Sequence, residues 1–367
     1  ITRSLSKLLF RSRRYRNHMK LLFITQKVDL DDDILGVYHS WISKLAQKFT
    51  KISVVCLYQG KTELPNNVGV FSLGKESGPS RLKYIFNFYK YIWKLRHDYD
   101  VVFVHMNPIY IVLGGLFWKL YDKKTSLWYN HPMGNVIDRV GIFFSGRVFC
   151  TSKYSFAAKF SKTNLMPAGI DVDLFKKVPV AKNHNQILFL GRISPIKKIE
   201  VLISAAELLD RQKIDFQIYI IGSPSSRADE FYKNKLKTMS LKLIKDGKII
   251  FRSSIPNSEA VLAYNESRIF INLTPTGSLD KTTLEAMSCE TMILVSNLSY
   301  KDILPSKLVN LFIFNEGDSD NLGSKIINLL KLESNEEIRL TSELRDIVVN
   351  HHSLNYLMEK LSIALAF

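Results

Sequence analysis

Three side chains in the second half of the chain have the types and the setting to hold a doubly charged, hydroxyl-rich ligand. Arg192 and Lys197 stand in Gly191-Arg192-Ile193-Ser194-Pro195-Ile196-Lys197, directly after an apolar run at 187–190 and before a helical pattern. A buried strand that gives way to a helix puts both cations at the C-terminal edge of a parallel sheet, where open α/β sheets bind ligands. Two fixed cations beside a helix start suit a diphosphate. The alternative for this segment alone is a pair of solvated cations flanking a strand. The second stretch runs from Leu273 through Gly277, Asp280, Lys281 and Thr282 to Glu285, and ends in another apolar run at 292–296. A strand again passes through a turn of small residues into a helix, one that opens near Lys281. Exposed amides at that helix start favour phosphate, and Glu285, about one turn in, can accept two hydrogen bonds from a ribose diol. A glutamate there also simply favours the helix dipole.

The elements that must position these residues follow from periodicity. Short aliphatic and β-branched runs alternate with longer helical patterns along nearly the whole chain, the sequence form of a parallel sheet with covering helices. The first half predicts strands at 21–25, 52–58, 68–73, 101–105, 126–130 and 147–151. The second half predicts them at 187–190, 216–221, 249–252, 269–273 and 292–296. Most are near-continuous apolar runs, as expected for strands buried on both faces. The polar stretch 176–186, with Pro179 and His184 among lysines and asparagines, has no periodicity and reads as a linker between two domains. The tail from Asn335 reads as two helices joined near 350–353.

Composition excludes several classes. With 46% hydrophobic and 23% charged residues over 367 positions, the chain is neither disordered nor fibrous. Its longest apolar stretch, 108–118, is too short to cross a bilayer. Cys56, Cys150 and Cys289 lie too far apart for zinc spacing and read as buried thiols in a reducing compartment. No GxGxxG follows the first strand, and no GxxxxGK[ST], GxSxG or HExxH occurs, which demotes dehydrogenases, P-loop NTPases, serine hydrolases and zinc proteases. The run Asp31-Asp32-Asp33 reads as a solvated loop, and no metal site is expected.

Charge is distributed unevenly. Of the net +17, residues 1–180 carry +16, from 28 Lys and Arg against 12 Asp and Glu. Such an excess attracts anionic lipid, nucleic acid or phosphorylated substrates. The stretch 81–96 mixes aromatics with cations at helical length and has no acid, the composition of a helix that lies in a membrane interface. The competing reading is a sheet-covering helix with its aromatics buried and its cations in water. No recognition-helix, zinc-finger or RNP-type pattern supports nucleic acid. Residues 1–18, Arg-rich and without acids, read as a basic extension ahead of Met19-Lys20.

Taken together, GRxxPxK at 191–197 and DKTxLEAM at 280–287 resemble the retaining glycosyltransferases of group 1, family 4. The opening at Met19 to Thr25 and Ala168-Gly169-Ile170-Asp171 also look like that family. The resemblance implies an α/β GT-B fold, with two Rossmann-like domains whose parallel sheets face across a cleft. It implies an acceptor domain over 19–175, joined by the helix at 351–367, and a nucleotide-sugar domain over 187–350. Carried over residue by residue, Arg192 and Lys197 match cations that bind the diphosphate and stabilise the departing nucleotide, and Glu285 matches the ribose-binding glutamate. Gly36 matches the loop glycine near the donor, and His131 the active-site histidine facing the reacting sugar. Gly191, Asp280, Lys281 and Thr282 complete the expected donor site. One departure is that Gly277 stands where many members have an acid and Asp280 where they have glycine, so Asp280 is expected to meet sugar hydroxyls.

The implied activity is transfer of a sugar, with retention and without a metal or other cofactor, from a nucleoside-diphosphate sugar to a glycan or lipid-linked acceptor. Cell-surface polysaccharide or glycolipid synthesis at the cytoplasmic face of a membrane fits that activity. A nucleotide-sugar 2-epimerase and a non-catalytic GT-B subunit are the alternatives.

Overall fold

A computed structural model of the chain describes residues 19–32, 36–277 and 279–366. The expected extension 1–18 and Asp33 lie outside the described residues. The chain divides into two compact units, one formed by residues up to Pro167 together with Leu354–Phe367, the other by Ala168–Ser353.

Unit 1 holds a parallel sheet of seven strands in the order β3-β2-β1-β4-β5-β6-β7. They are β1 Lys20–Val28, β2 Lys51–Gln59, β3 Val68–Ser72, β4 Val101–His105, β5 Lys124–Trp128, β6 Arg147–Cys150 and β7 Thr163–Leu165. Alternation along β1 explains why its run is apolar throughout. Leu21 and Phe23 pack on one face, with Trp41 and Leu45 of α1 (Val37–Ala46) and Leu357 and Leu361 of the last helix, Leu354–Ala366. Leu22 and Ile24 pack on the other face, under α2 (Arg81–Lys94), α3 (Ile109–Leu120) and α4 (Val136–Phe144), whose Phe88, Ile92, Trp118 and Ile142 are fully buried. Strands buried on both faces need side chains of one polarity, which is why period-two patterning is absent.

Unit 2 repeats the grammar with five parallel strands in the order β10-β9-β8-β11-β12: β8 Asn183–Leu190, β9 Gln217–Ile221, β10 Ile249–Arg252, β11 Ser267–Asn272 and β12 Met292–Val295. Its helices are α5 Ile199–Arg211, α6 Arg227–Met239, α7 Leu241–Lys245, α8 Asn257–Glu266, α9 Lys281–Ser288, α10 Ser306–Phe312, α11 Ser319–Leu330 and α12 Ser334–His351. The last helix, Leu354–Ala366, is α13. Both sheets are the parallel, helix-covered α/β architecture that the alternating pattern implies.

Three sequence expectations change. The stretch 176–186 is not a free linker. Asn265 binds both the Val178 N–H and the Lys176 carbonyl, at 3.0 Å each, Lys182 pairs with Glu337 at 3.5 Å, and β8 already starts at Asn183. The division between units falls instead at Pro167/Ala168. Strand β7 was not predicted, because three half-exposed residues at a sheet edge carry no apolar run. Asp32 is not simply solvated, since its carboxylate meets Lys27 at 2.6 Å. The three cysteines are buried and unbridged.

Candidate active site

In unit 2 the chain moves from β8 outward to β9 and β10, then returns to place β11 on the other side of β8. The loops leaving β8 and β11 therefore diverge and open a crevice at the C-terminal strand ends, the usual ligand position of an open parallel sheet. Both motif stretches run into it. Gly191 follows β8 and donates its N–H to Ile221 O at 3.0 Å. That approach requires glycine at 222, where a Cβ would lie 1.9 Å from the Gly191 carbonyl oxygen.

Lys197 ends a 3-10 turn, Pro195–Lys197, and its ammonium crosses to the loop after β11. Nζ donates to Asp280 Oδ2 at 2.6 Å and to Thr274 Oγ1 at 2.8 Å. Asp280 is the N-cap of α9. Its Oδ1 accepts from the Thr282 N–H at 3.3 Å and Thr282 Oγ1 at 2.9 Å, while Thr274 Oγ1 donates to Oδ2 at 2.8 Å. These contacts use about all the lone-pair positions a carboxylate has. Asp280 therefore orients Lys197 and caps the helix. Burial would raise the Asp280 acid, but the Lys197 charge and the hydrogen bonds from Lys197 and Thr274 outweigh it and hold the carboxyl far below the ordinary range. Tyr300 Oη adds a bond to the Asp280 carbonyl at 2.6 Å.

One turn along α9, Glu285 is partly buried and accepts from Tyr264 Oη at 3.1 Å. Burial pushes its carboxyl up to about 7, against the pull of the Lys281 charge and the Tyr264 hydrogen bond. Burial lowers the Lys281 ammonium in turn, with the Glu285 charge opposing. Arg192 is exposed, and its Nη1 reaches Ser225 Oγ at 3.4 Å. Ser225 is itself fixed by Asp229 at 2.9 Å. Ser194 Oγ, between the two cations in sequence, is buried without a hydrogen-bond partner among the described residues. A buried hydroxyl left this way costs free energy unless water or a ligand reaches it.

Of the residues singled out in the sequence, Lys197, Asp280 and Thr282 are joined by hydrogen bonds, Lys281 and Glu285 lie on the same helix α9, and Arg192 lies in the loop after β8. Sequence reasoning missed the residues that hold them. Thr274 and Tyr300 fix Asp280, Tyr264 fixes Glu285, and Ser225 meets Arg192; only Thr274 lies inside a motif stretch. Gly277 has φ +152°, a conformation that disfavours an acidic side chain at that position.

Gly36 and His131 belong to unit 1. Gly36 precedes α1, and a Cβ there would meet the Asp32 carbonyl oxygen at 2.5 Å, so the loop after β1 folds tightly only with glycine. His131 follows β5, which ends at Trp128, and it is exposed. Its carbonyl accepts from the Phe156 N–H at 2.9 Å, and its ring centroid lies 6.4 Å from that of Tyr129. It lines a hollow of about 510 Å³ with Met106, Asn107, Tyr129 and Met133.

Comparison with known proteins agrees with this architecture. HepE of Anabaena, solved in complex with UDP and glucose, superposes with TM-score 0.74 at 16% identity, over 95% of this chain and all of that one. Sucrose-phosphate synthase of Thermosynechococcus elongatus gives TM-score 0.70 at 15% identity, over 93% and 97%. These likenesses show the two-sheet GT-B fold. A D-inositol 3-phosphate glycosyltransferase from an Arthrobacter species is 25% identical over 154 residues, 38% of this chain, and the match spans only 35% of that relative's length. The family described as glycosyl transferases group 1 matches residues 172–345. That segment contains the loops after β8 and β11 with Arg192, Lys197, Asp280 and Glu285, so the stretch of this chain that is similar to the glycosyl transferases group 1 family is the one that carries the candidate site.

Proposed function

We propose that this protein is a retaining, metal-independent glycosyltransferase that moves a sugar from a nucleoside-diphosphate sugar to a glycan or lipid-linked acceptor, in synthesis of cell-surface polysaccharide or glycolipid. The observation that carries the reading is the convergence of Arg192, the Asp280-held ammonium of Lys197, and Glu285 at the β8/β11 switch point. In this reading the diphosphate lies between the two cations and the start of α9, and the ribose diol hydrogen-bonds to Glu285.

The bond that breaks joins the anomeric carbon to the diphosphate oxygen, the bond that forms joins that carbon to an acceptor hydroxyl oxygen, and the hydroxyl's proton passes to the departing diphosphate or to water. Negative charge grows on the departing diphosphate, so cations fixed beforehand contribute more in the transition state than in the ground state. Asp280 supplies that fixation for Lys197. Arg192 needs less support, since a planar guanidinium presents a preorganised fork to phosphate. In unit 1, Gly36 and His131 are assigned to the donor phosphate side and the reacting sugar respectively.

The test is thermal stabilisation of the full chain across UDP, GDP and ADP sugars, beside an Arg192→Ala/Glu285→Ala variant. UDP sugars come first, because HepE of Anabaena was solved with UDP. A selective ligand raises stability by about 2.7 kcal/mol at one hundred times Kd. A shift present in the native protein and lost in the variant supports the donor site. No shift with any nucleotide overturns the reading.

A further inference from the structure

We propose that the outer face of the α2–α3–α4 layer of unit 1 is a docking surface for an anionic lipid bilayer. The proposal rests on surface chemistry and stands apart from the donor site. The three helices lie side by side. Trp93 of α2 meets Phe117 of α3 and Tyr121 just after it, with ring centroids 6.1 and 6.0 Å apart, and Tyr89 Oη donates to Leu113 O at 2.9 Å. Gly115 of α3 sits against Phe144 of α4, where a Cβ would come within 3.3 Å of that side chain.

Each helix carries apolar groups on its outward side as well as toward the sheet. In α2, Phe88 and Ile92 supply the buried face, while Leu82, Ile85, Phe86, Tyr89 and Trp93 recur at three- and four-residue spacing on an exposed stripe. Leu82 is 83% exposed and Phe86 70%. On α3, Leu116 and Leu120 are exposed, the latter at 76%, and on α4, Val136 and Phe143 stand out at 74% each. A helix that covers a sheet normally turns polar side chains to water, and contiguous apolar exposure of this kind marks an interaction surface.

Charge identifies the occupant. Arg81, Lys83, Lys90, Lys94, Lys119 and Arg139 are exposed on the same three helices. Their one carboxylate, Asp138, is buried and bonded to Tyr129 Oη at 2.9 Å and the Asn135 N–H at 2.8 Å. Beyond the end of α3, a hollow of about 500 Å³ is lined by Lys119, Lys123, Lys124 and Arg147 against a single carboxylate, Asp122, a balance of charge that still favours a phosphate headgroup. A second copy docked on the same face would oppose six exposed helix cations to six, with Asp122 beyond the end of α3 too little acid to offset them, which disfavours self-association. Bulky aliphatic and aromatic side chains ringed by cations match the acyl and headgroup layers of an anionic leaflet.

The test is flotation of the full chain with phosphatidylcholine vesicles and with vesicles containing 30% phosphatidylglycerol, at physiological salt. Two variants accompany it, Lys83→Gln/Lys90→Gln/Lys94→Gln and Leu116→Ser/Leu120→Ser/Phe143→Ser. All six side chains are exposed, so melting temperatures should match the native protein and exclude misfolding. Native protein should float with the anionic vesicles only. The charge variant should bind on the order of a hundredfold more weakly, from about 1 kcal/mol per cation near the surface, and the apolar variant at least about tenfold more weakly. Residues 1–18 are the same in every protein, so their arginines do not account for a difference. Equal flotation with both vesicle types, or undiminished binding in both variants, overturns the proposal. So does a concentration-dependent dimer that the apolar variant abolishes while vesicle binding persists.

Discussion

The edge of β8 and β11 in unit 2 and the edge of β4 and β5 in unit 1 are made alike, each from parallel strands running into loops and helices. They differ in how their functional side chains are held. At β8/β11, Lys197 and Asp280 lock each other, Thr274 and Thr282 lock Asp280, and Tyr264 reaches Glu285. At β4/β5, His131 is exposed and anchored through its backbone, in a hollow bordered by Met106 and Met133. The contrast separates two physical demands. Neutralising a diphosphate needs charges fixed in advance, because reorganising them during the reaction forfeits their effect. On the proposed function, the edge that receives the acceptor gains from exposure.

This comparison is broken or sharpened by single substitutions. Lys197→Ala should have the largest effect, lowering turnover on the order of a hundredfold to a thousandfold and also lowering Tm, because Asp280 keeps its charge after losing its partner. Full turnover in that variant would remove the basis for a preorganised donor site. Arg192→Ala should cost about tenfold to several hundredfold in turnover, from roughly 1.5–3 kcal/mol per charged hydrogen bond, with Tm unchanged because the guanidinium is exposed. His131→Ala should lower turnover about tenfold while leaving both Tm and the nucleotide-induced shift as they were. A lost nucleotide shift would move His131 to the donor side.

Glu285 makes a pH prediction. Its carboxyl is raised from 4.5 to about 7, so if ionised Glu285 holds the ribose diol as proposed, donor affinity should fall by up to about tenfold between pH 8 and pH 6. Glu285→Gln should bind donor weakly at both pH values. For stability the sign is opposite: the folded state holds this proton more tightly than the unfolded chain, so the contribution of Glu285 to stability declines as pH rises from about 4.5 through 7. Ligand-free Glu285→Gln should therefore melt higher than the native protein at pH 8, and an unchanged Tm would argue against the buried acid. Tyr264→Phe is the smallest change. Without the hydroxyl, Glu285 ionises less readily, and nucleotide affinity at pH 7 should drop about two- to fivefold.

Much of the β8/β11 candidate site was legible because its residues are local in sequence. Arg192 and Lys197 sit within one loop, and Asp280 to Glu285 at the start of one helix; spacing alone left each stretch open, and the resemblance of the two together singled them out. Tyr264 and Tyr300 were not legible. Each reaches the site across the core from another element, and an aromatic in an apolar run carries no mark of where its hydroxyl points. The bond from Asp280 to Lys197 was not legible for a related reason: an acid at a helix start carries no mark of a lysine 83 positions away that reaches it. In unit 1, composition could not decide whether the aromatics of 81–96 were buried. The structure divides them, with Phe88 under the sheet-facing side and Phe86 and Trp93 outside.

Helix α13 has a consequence for how the molecule is made. Its Leu357, Leu361 and Leu365 fill the same core as Trp41 and Phe23, yet the 168–353 segment lies between them in the chain. During synthesis unit 1 cannot complete that core until α13 has left the ribosome, roughly 10–40 s after Pro167 at ordinary elongation rates. Unit 2, continuous in sequence, can close first. The basic, apolar-faced half of the chain, though made first, can therefore complete its core only after unit 2 has been synthesised.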